Sequence, residues 1–318
     1  MSTAAIMPRM LVAVLLGVVA ALGWTGPAAA HGADAPVAVN YRVKVVSVSV
    51  PGVDVRAVEG GARLELANHS GREIVILGLQ GEQFLRIRPD GVDENHRSPT
   101  WFASRSLTGS TAGGDAKAPP EWHTAAGEPL VRWHDERARE LPARQWSVPL
   151  LVDGIEPGIV RGTVEGAQPP RTGWWWAGSV LVAAMVVLLR RQRWVLVGVA
   201  IVGGGLVAAW VVASADGATS PSDGLGVQLL ARLWPLLTAV GVVAAGIAVA
   251  FKKLDIVAAI AGACLAVMVG FADAEVFSNG VLAGPGWGRW AVAAALAAGL
   301  GLLGSGAIRW YRTIGPDN

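Results

Sequence analysis

The sequence predicts an all-β exported domain, an antiparallel sandwich of Ig-like type, followed by an α-helical membrane bundle of five spans. Three observations predict it. Nearly all the charge lies between residues 31 and 170. From Tyr41 onward, apolar and polar residues alternate with period two, the spacing of a half-buried strand. After residue 170, five apolar stretches of about spanning length are separated by short clusters of arginine and lysine. The whole-chain values, 53% apolar and a mean hydropathy of +0.45, average over these two unlike halves.

Residues 1–30 read as a signal peptide. Arg9 precedes an apolar run from Met10 to Gly23, and Gly26-Pro27 leads to the small residues Ala28-Ala29-Ala30. The run is shorter than the roughly 20 residues a spanning helix needs. Cleavage after Ala30 makes His31 the mature N-terminus.

Residues 31–168 form the predicted β domain. Val43 and Val45 alternate with Arg42 and Lys44, then Val46, Val48 and Val50 with Ser47 and Ser49. The phase slips between Val45 and Val46, which predicts a β-bulge. Further strands are expected at Val53–Val58, Ala62–Ala67, Ile74–Leu79, Phe84–Arg88, Trp146–Val152 and Ile159–Glu165. Turn residues divide them at Pro51-Gly52, Gly60-Gly61, Asn68-His69-Ser70-Gly71, Pro89-Asp90-Gly91 and Asp153-Gly154. Residues 98–145 show less pattern, and Ser106–Pro120 reads as a loop. The single cysteine, Cys264, lies in an apolar stretch, so the exported domain has no disulfide and depends on an ordinary core.

Residues 169–318 form the predicted membrane domain. Gln168-Pro169-Pro170-Arg171 leads to spans at 174–190, 194–213, 227–251, 255–274 and 289–308. Arg190, Arg191, Arg193, Lys252, Lys253, Arg309 and Arg312 fall in alternate loops and the tail, whereas 214–226 and 275–288 carry neither Lys nor Arg. Positive charge faces the cytoplasm, so the β domain lies outside and the C-terminus inside, as the signal peptide also requires. This is a multi-pass plasma-membrane topology. Trp174-Trp175-Trp176, Trp194, Trp287, Trp290, Trp310 and Tyr311 sit at span ends and read as interfacial anchors. Gly203-Gly204-Gly205 and Gly299, Gly301, Gly304 and Gly306 supply small faces for helix packing. Arg232 is the charged residue well inside a span, and a pairing with Asp273 or Glu275 near the outer surface is expected.

Motifs of metalloproteases, serine hydrolases, nucleotide-binding loops and redox CxxC pairs are missing, so no enzyme is expected. A net charge of +2 without a basic run points away from nucleic acid. The chemistry that remains is metal binding by histidine, all five of which lie in the exported half. His31 at a free N-terminus offers an amine and an imidazole, a nitrogen set that suits copper. His96, His134 and Asp135 are the candidates to complete it. The alternative is that Trp133 packs in the core of the sandwich while Arg132 and Asp135 pair at its surface.

The stretch Gly81-Glu82-Gln83-Phe84-Leu85-Arg86-Ile87-Arg88-Pro89-Asp90-Gly91-Val92, with Glu94-Asn95, Ser98-Pro99, Ala118–Trp122 and Arg132–Asp135, resembles a family of uncharacterised actinobacterial membrane proteins. These share a signal peptide, a β-rich exported domain and a C-terminal bundle, and some sit with exported copper-handling proteins of the CopC type. The resemblance covers most of 31–165, and only the layout of the membrane half. It implies copper as a ligand and envelope or copper-handling proteins as partners. The relatives continue Trp-His-Asp with further histidines; here Glu136 stands in place of the second, which removes part of such a site. The expected function is a membrane-anchored binding module of the cell envelope. A transporter or transport accessory, and a structural or sensory envelope protein, are the competing readings.

Overall fold

Period-two alternation becomes strand pairing in the computed structural model, which describes residues 38–105, 113–139, 144–214, 225–251 and 255–313. The signal peptide and His31 lie outside these residues. Ten strands form: β1 Tyr41–Val48, β2 Val53–Val58, β3 Arg63–Asn68, β4 Ile74–Leu77, β5 Gln83–Arg88, β6 Gly91–Asn95, β7 Trp122–Ala126, β8 Leu130–Trp133, β9 Arg144–Val152 and β10 Glu156–Gly166. Every pairing is antiparallel. One sheet has seven strands in the order β1-β10-β9-β4-β5-β6-β7, and the other three, β2-β3-β8. Both contribute to a single core: Val53, Leu64, Leu66, Val131 and Trp133 from the smaller sheet meet Ile74, Ile76, Phe84, Val148, Leu150 and Val160 from the larger. The antiparallel two-sheet expectation is met. The seven-and-three division is not the four-and-three arrangement of an Ig constant-type sandwich.

The expected bulge is present. Val45 pairs with Gly162 and Ser47 with Arg161, so Val46 is skipped in the register and its side chain points to solvent. The Asp153-Gly154 turn also forms, with positive φ at both residues. In β9, Trp146, Val148, Leu150 and Val152 face inward and the residues between them outward. Glycine is required opposite Trp146: a Cβ on Gly162 would collide with the indole ring. Three strands and a helix, α1 (Pro99–Arg105), arise where the sequence shows little alternation. In β6 the reason is plain. Its buried positions include Asp93 and Asn95, polar residues held by internal partners, so hydropathy does not alternate.

Helices occupy all five apolar stretches: α2 Thr172–Leu188, α3 Arg193–Ala213, α4 Leu225–Ala250, α5 Asp255–Leu265 and α6 Gly288–Thr313. Two of them, α3 and α6, are long and apolar enough by length and composition to cross a membrane. The others offer shorter apolar segments: α2 itself, Pro235–Ala250 of α4, and α5 with the π-helical turn Ala266–Phe271 into which it runs. Small residues set the spacing. A Cβ on Gly262 would stand 2.6 Å from the Gly299 carbonyl oxygen, and one on Gly306 2.6 Å from that of Asp255, so α5 and α6 touch backbone to backbone. Gly204 does the same for α3 against the Ala239 carbonyl of α4, and Gly203 makes room for the Ala298 methyl of α6.

Outward faces of these helices are apolar. Leu181, Met185 and Leu188 on α2, Val202 and Val212 on α3, Val240 and Ile247 on α4 and Ile260 on α5 are exposed. The tryptophans divide into two groups. Trp174, Trp194 and Trp290 are largely exposed, as anchors should be. Trp175 stacks on Phe277 at 5.7 Å, and Trp176 meets Phe271 and Phe277, forming an aromatic cluster between α2 and the α5–α6 connection.

Leu66, wholly buried between the two sheets, is the position at which to test the shared core. Leu66→Ala should lower the unfolding free energy by about 2–5 kcal/mol. Denaturant melts of the chain in detergent, followed by the near-ultraviolet signal of the β-domain tryptophans, check it; a loss below ~1 kcal/mol would show that the sheets do not share one core.

Candidate functional site

His134 and Asp135 follow β8 and are absorbed by the fold. His134 Nδ1 lies 2.9 Å from the Ala62 carbonyl oxygen, and its Nε2 lies 3.1 Å from Arg63 Nε. The arginine can only donate, so Nε2 accepts and Nδ1 carries the proton. Both ring nitrogens are thereby engaged. Asp135 is buried; it accepts from Trp133 Nε1 at 2.9 Å, from the Arg137 backbone N–H, and from the Arg137 guanidinium at 2.8 Å. Trp133 packs in the core as expected, but Arg132 pairs with Glu65 rather than Asp135. Two residues further on, the arginine at 137 takes that place.

The other motif residues also hold structure. Glu82 is buried beneath the β4–β5 turn. It accepts from the Ser98 hydroxyl at 2.8 Å, the Thr100 hydroxyl at 2.6 Å, the Thr100 backbone N–H and the Gln80 N–H. Burial alone would raise its pKa, yet the Thr100 and Ser98 hydroxyls and the backbone donors outweigh it and hold the carboxyl below its ordinary value. Asp93 behaves likewise: desolvation is overcome by Arg86, Thr124 and Arg88. Arg86 also lies over the Trp122 ring at 4.6 Å.

His96 is placed differently. It follows β6 at the edge of the larger sheet, stacked on His123 of β7 with ring centroids 3.9 Å apart and 4.2 Å from Trp101 of α1. Glu94 stands 3.8 Å from His96 Nε2, and Glu121 stands 3.2 Å from His123 Nε2 and 3.0 Å from Arg97. His123 was not among the sequence candidates; the pairing of β6 with β7 creates this neighbourhood, and no spacing in the chain announces it. Among the described residues, no group of three or more His, Cys, Asp and Glu is arranged to hold a metal ion, so His96, His134 and Asp135 do not form the expected site there. A shallow, open recess of about 440 Å³ lies elsewhere on the domain, lined by Arg137, Arg144 and Trp146 among others. Its arginines are turned to the fold, Arg137 to the Leu77 carbonyl and Arg144 to those of Glu136 and Arg139.

A second site lies where the two halves meet. Val39 pairs with Val281 as an antiparallel bridge, with two backbone hydrogen bonds of 2.9 Å. Glu275 Oε1 accepts from the Ala38 N–H at 2.9 Å. The Asn40 side chain donates to Asn279 Oδ1 and accepts from the Gly280 N–H. Arg289, at the start of α6, donates to the carbonyls of Val276, Asn279 and Gly280, which fixes the loop from beneath. Thr172, opening α2, donates to the Phe277 carbonyl. Of the expected membrane pair, Glu275 thus holds the root of the β domain and Asp273 opens the same loop. Arg232 falls within α4, but its side chain lies outside the described residues, and so does the pairing proposed for it.

The chain matches no family model, no curated protein and no solved structure. The function therefore has to be argued from these residues.

Glu82→Gln should cost about 1–3 kcal/mol at pH 7, because a carboxylate with four donors becomes a neutral amide. A lowered folded-state pKa gives stability that is present above the unfolded value, about 4.3, and is lost as pH falls through the folded value. Acid unfolding curves check the sign: the wild type should weaken below about pH 4.3, and the variant should show less of that dependence.

Proposed function

We propose that the chain is a cell-envelope binding module, in which a β sandwich outside the cytoplasm is carried rigidly on a membrane base of five helices. The clasp between residues 38–40 and 275–281 carries this reading. A domain merely tethered by its linker would need no second attachment, whereas here both its first strand and its last are tied to the helical half. The Ala167 N–H bonds the Asn40 carbonyl at 2.9 Å, so the clasp also holds the exit of β10.

The distribution of charge supports the orientation. Arg309 reaches Asp255 at 2.9 Å and the Arg190 carbonyl at 2.9 Å, which gathers the arginine-bearing ends of α2 and α6 with the start of α5 at one end of the bundle. The β domain is clasped at the other. With positive charge inside, the sandwich is outside, as the signal peptide requires. The exposed apolar side chains around the helices fit acyl chains as their surroundings. The shorter helices complete a five-span base by packing on α3 and α6: α2 and α5 lie on α6, and α4 on α3. Among the described residues the polar side chains buried in the helical half are Ser179 and Ser305, which gives a transport reading nothing to build on.

Copper is the ligand this reading takes outside, as the sequence resemblance to uncharacterised actinobacterial membrane proteins implies. Imidazole at His96, partly exposed and stacked on the more exposed His123, is the ligand this reading assigns to the domain, to be joined by His31 at the mature N-terminus. His134 and Asp135 are replaced in this role, since the fold already occupies their donor and acceptor atoms.

Two measurements test the proposal. Sodium carbonate extraction of membranes should leave the chain in the pellet, and protease added to intact spheroplasts should remove the β domain but spare a C-terminal tag; release by carbonate would end the membrane reading. A Cu(II) titration of the mature chain in detergent, read by EPR, should give a nitrogen-rich signal. Its affinity should drop about tenfold or more in His96→Ala and stay unchanged in His134→Ala. Binding no tighter than to free histidine would remove copper and leave the anchored module standing.

A further inference from the structure

At the end of the bundle away from the β domain, positive charge gathers with little to balance it. Arg190 and Arg191 follow α2, Arg193 opens α3, and Arg309 and Arg312 lie in the last turns of α6. Among the described residues the carboxylate found with them is Asp255, already bonded to Arg309. Arg190 turns back to the Val187 carbonyl at 3.1 Å. Arg193 differs: its Nη1 is buried and meets no hydrogen-bond partner among the described residues. A guanidinium nitrogen shielded from water in this way is costly unless an anion meets it.

Local structure adds to the attraction. The side chain of Gln192 does not cap α3, so the first N–H groups of this 21-residue helix contribute their partial positive charge at the same place. Trp194, 78% exposed, and Tyr311, 41% exposed, stand at this level, where amphipathic rings meet headgroups. Below them the surface is greasy: Leu188 is 75% exposed, and Met185 and Leu181 are exposed on the helix that ends at these arginines.

We infer that this end of the bundle binds the phosphate of an anionic phospholipid, with Arg191 and Arg193 as its direct ligands. The inference rests on the membrane reading above. Guanidinium groups take phosphate oxygens through paired N–H donors, which a lone lysine cannot imitate. A lipid rather than a free phosphate is the occupant because the arginines follow directly on a helix end whose Leu188, Met185 and Leu181 are exposed apolar side chains, suited to acyl chains. Basic residues at the inner ends of helices recognise such headgroups.

Native mass spectrometry of the full chain, released from bilayers of phosphatidylglycerol or phosphatidylcholine, tests this. Wild type should retain phosphatidylglycerol about tenfold more than phosphatidylcholine. The double variant Arg191→Gln, Arg193→Gln should fall to the phosphatidylcholine level, while Arg161→Gln on the outer face of β10 should not change it. Inorganic phosphate at millimolar concentration should leave the bound lipid in place. Equal retention of the two lipids, or retention unchanged in the double variant, overturns the inference; displacement by inorganic phosphate makes the site one for the free ion and overturns it too. Where the double variant does not fold, the wild-type lipid ratio and the phosphate competition decide. Failure of the membrane reading is seen separately, as a chain that carbonate extracts.

Discussion

The joint between the β domain and the helices is the constraint on which the rest of the molecule depends. A sandwich on a flexible stalk sets its own stability and samples many orientations. Here the backbone of Ala38 and Val39 is bonded into the loop that joins α5 to α6, and Asn40 ties that loop to the exit of the last strand. The loop is itself held by Arg289, which donates to the carbonyl of Val276 in the short helical turn at Ala274–Phe277 and to those of Asn279 and Gly280 beyond it. Loosening any of these contacts frees backbone groups in a partly buried place, where each needs a partner. The clasp thus joins the start of the first strand directly to the α5–α6 loop.

Within the sandwich the same rule of satisfying buried polar groups explains residues that look functional in the sequence. Glu82, Asp93 and Asp135 are carboxylates at low exposure, each surrounded by donors. They fix turns, a hairpin and the segment after β8, and they do so at positions where an apolar residue would leave backbone donors unmet. For Glu82 and Asp93 those donors also hold the carboxyl below its ordinary pKa despite burial.

Legibility followed the physics of each segment. Strands such as β9 were readable because one face is core and the other is solvent, so burial writes itself into alternation. Even the bulge in β1 was visible, since skipping one residue shifts the phase. Strand β6 was not, because Asp93 and Asn95 are buried through pairing and mask the pattern. The five apolar stretches became helices near their expected limits, although Pro235 in α4 and the π turn after α5 divide what looked like uniform spans. The site was less legible. His134 and His96 look equivalent in sequence, and only the register that brings Arg63 and Ala62 to His134, and His123 to His96, separates a structural histidine from an accessible one. Two of the tryptophans read as anchors are cores of an aromatic cluster, a distinction that depends on how α2 faces the α5–α6 loop.

The two ends of the helical half are built on opposite principles, and this gives the molecule its polarity. At the clasped end, Glu275, Arg289 and Asn40 bond to backbone groups and Asn40 bonds to the Asn279 side chain, leaving a closed joint. At the other end, arginines gather around one carboxylate and exceed it in charge. Backbone contact through Gly262, Gly299 and Gly306 makes α5 and α6 a stiff pair between the two ends. That pair runs from the arginine cluster to the loop that clasps the sandwich, so the helical half is tied to the β domain through α5 and α6 as well as through its linker.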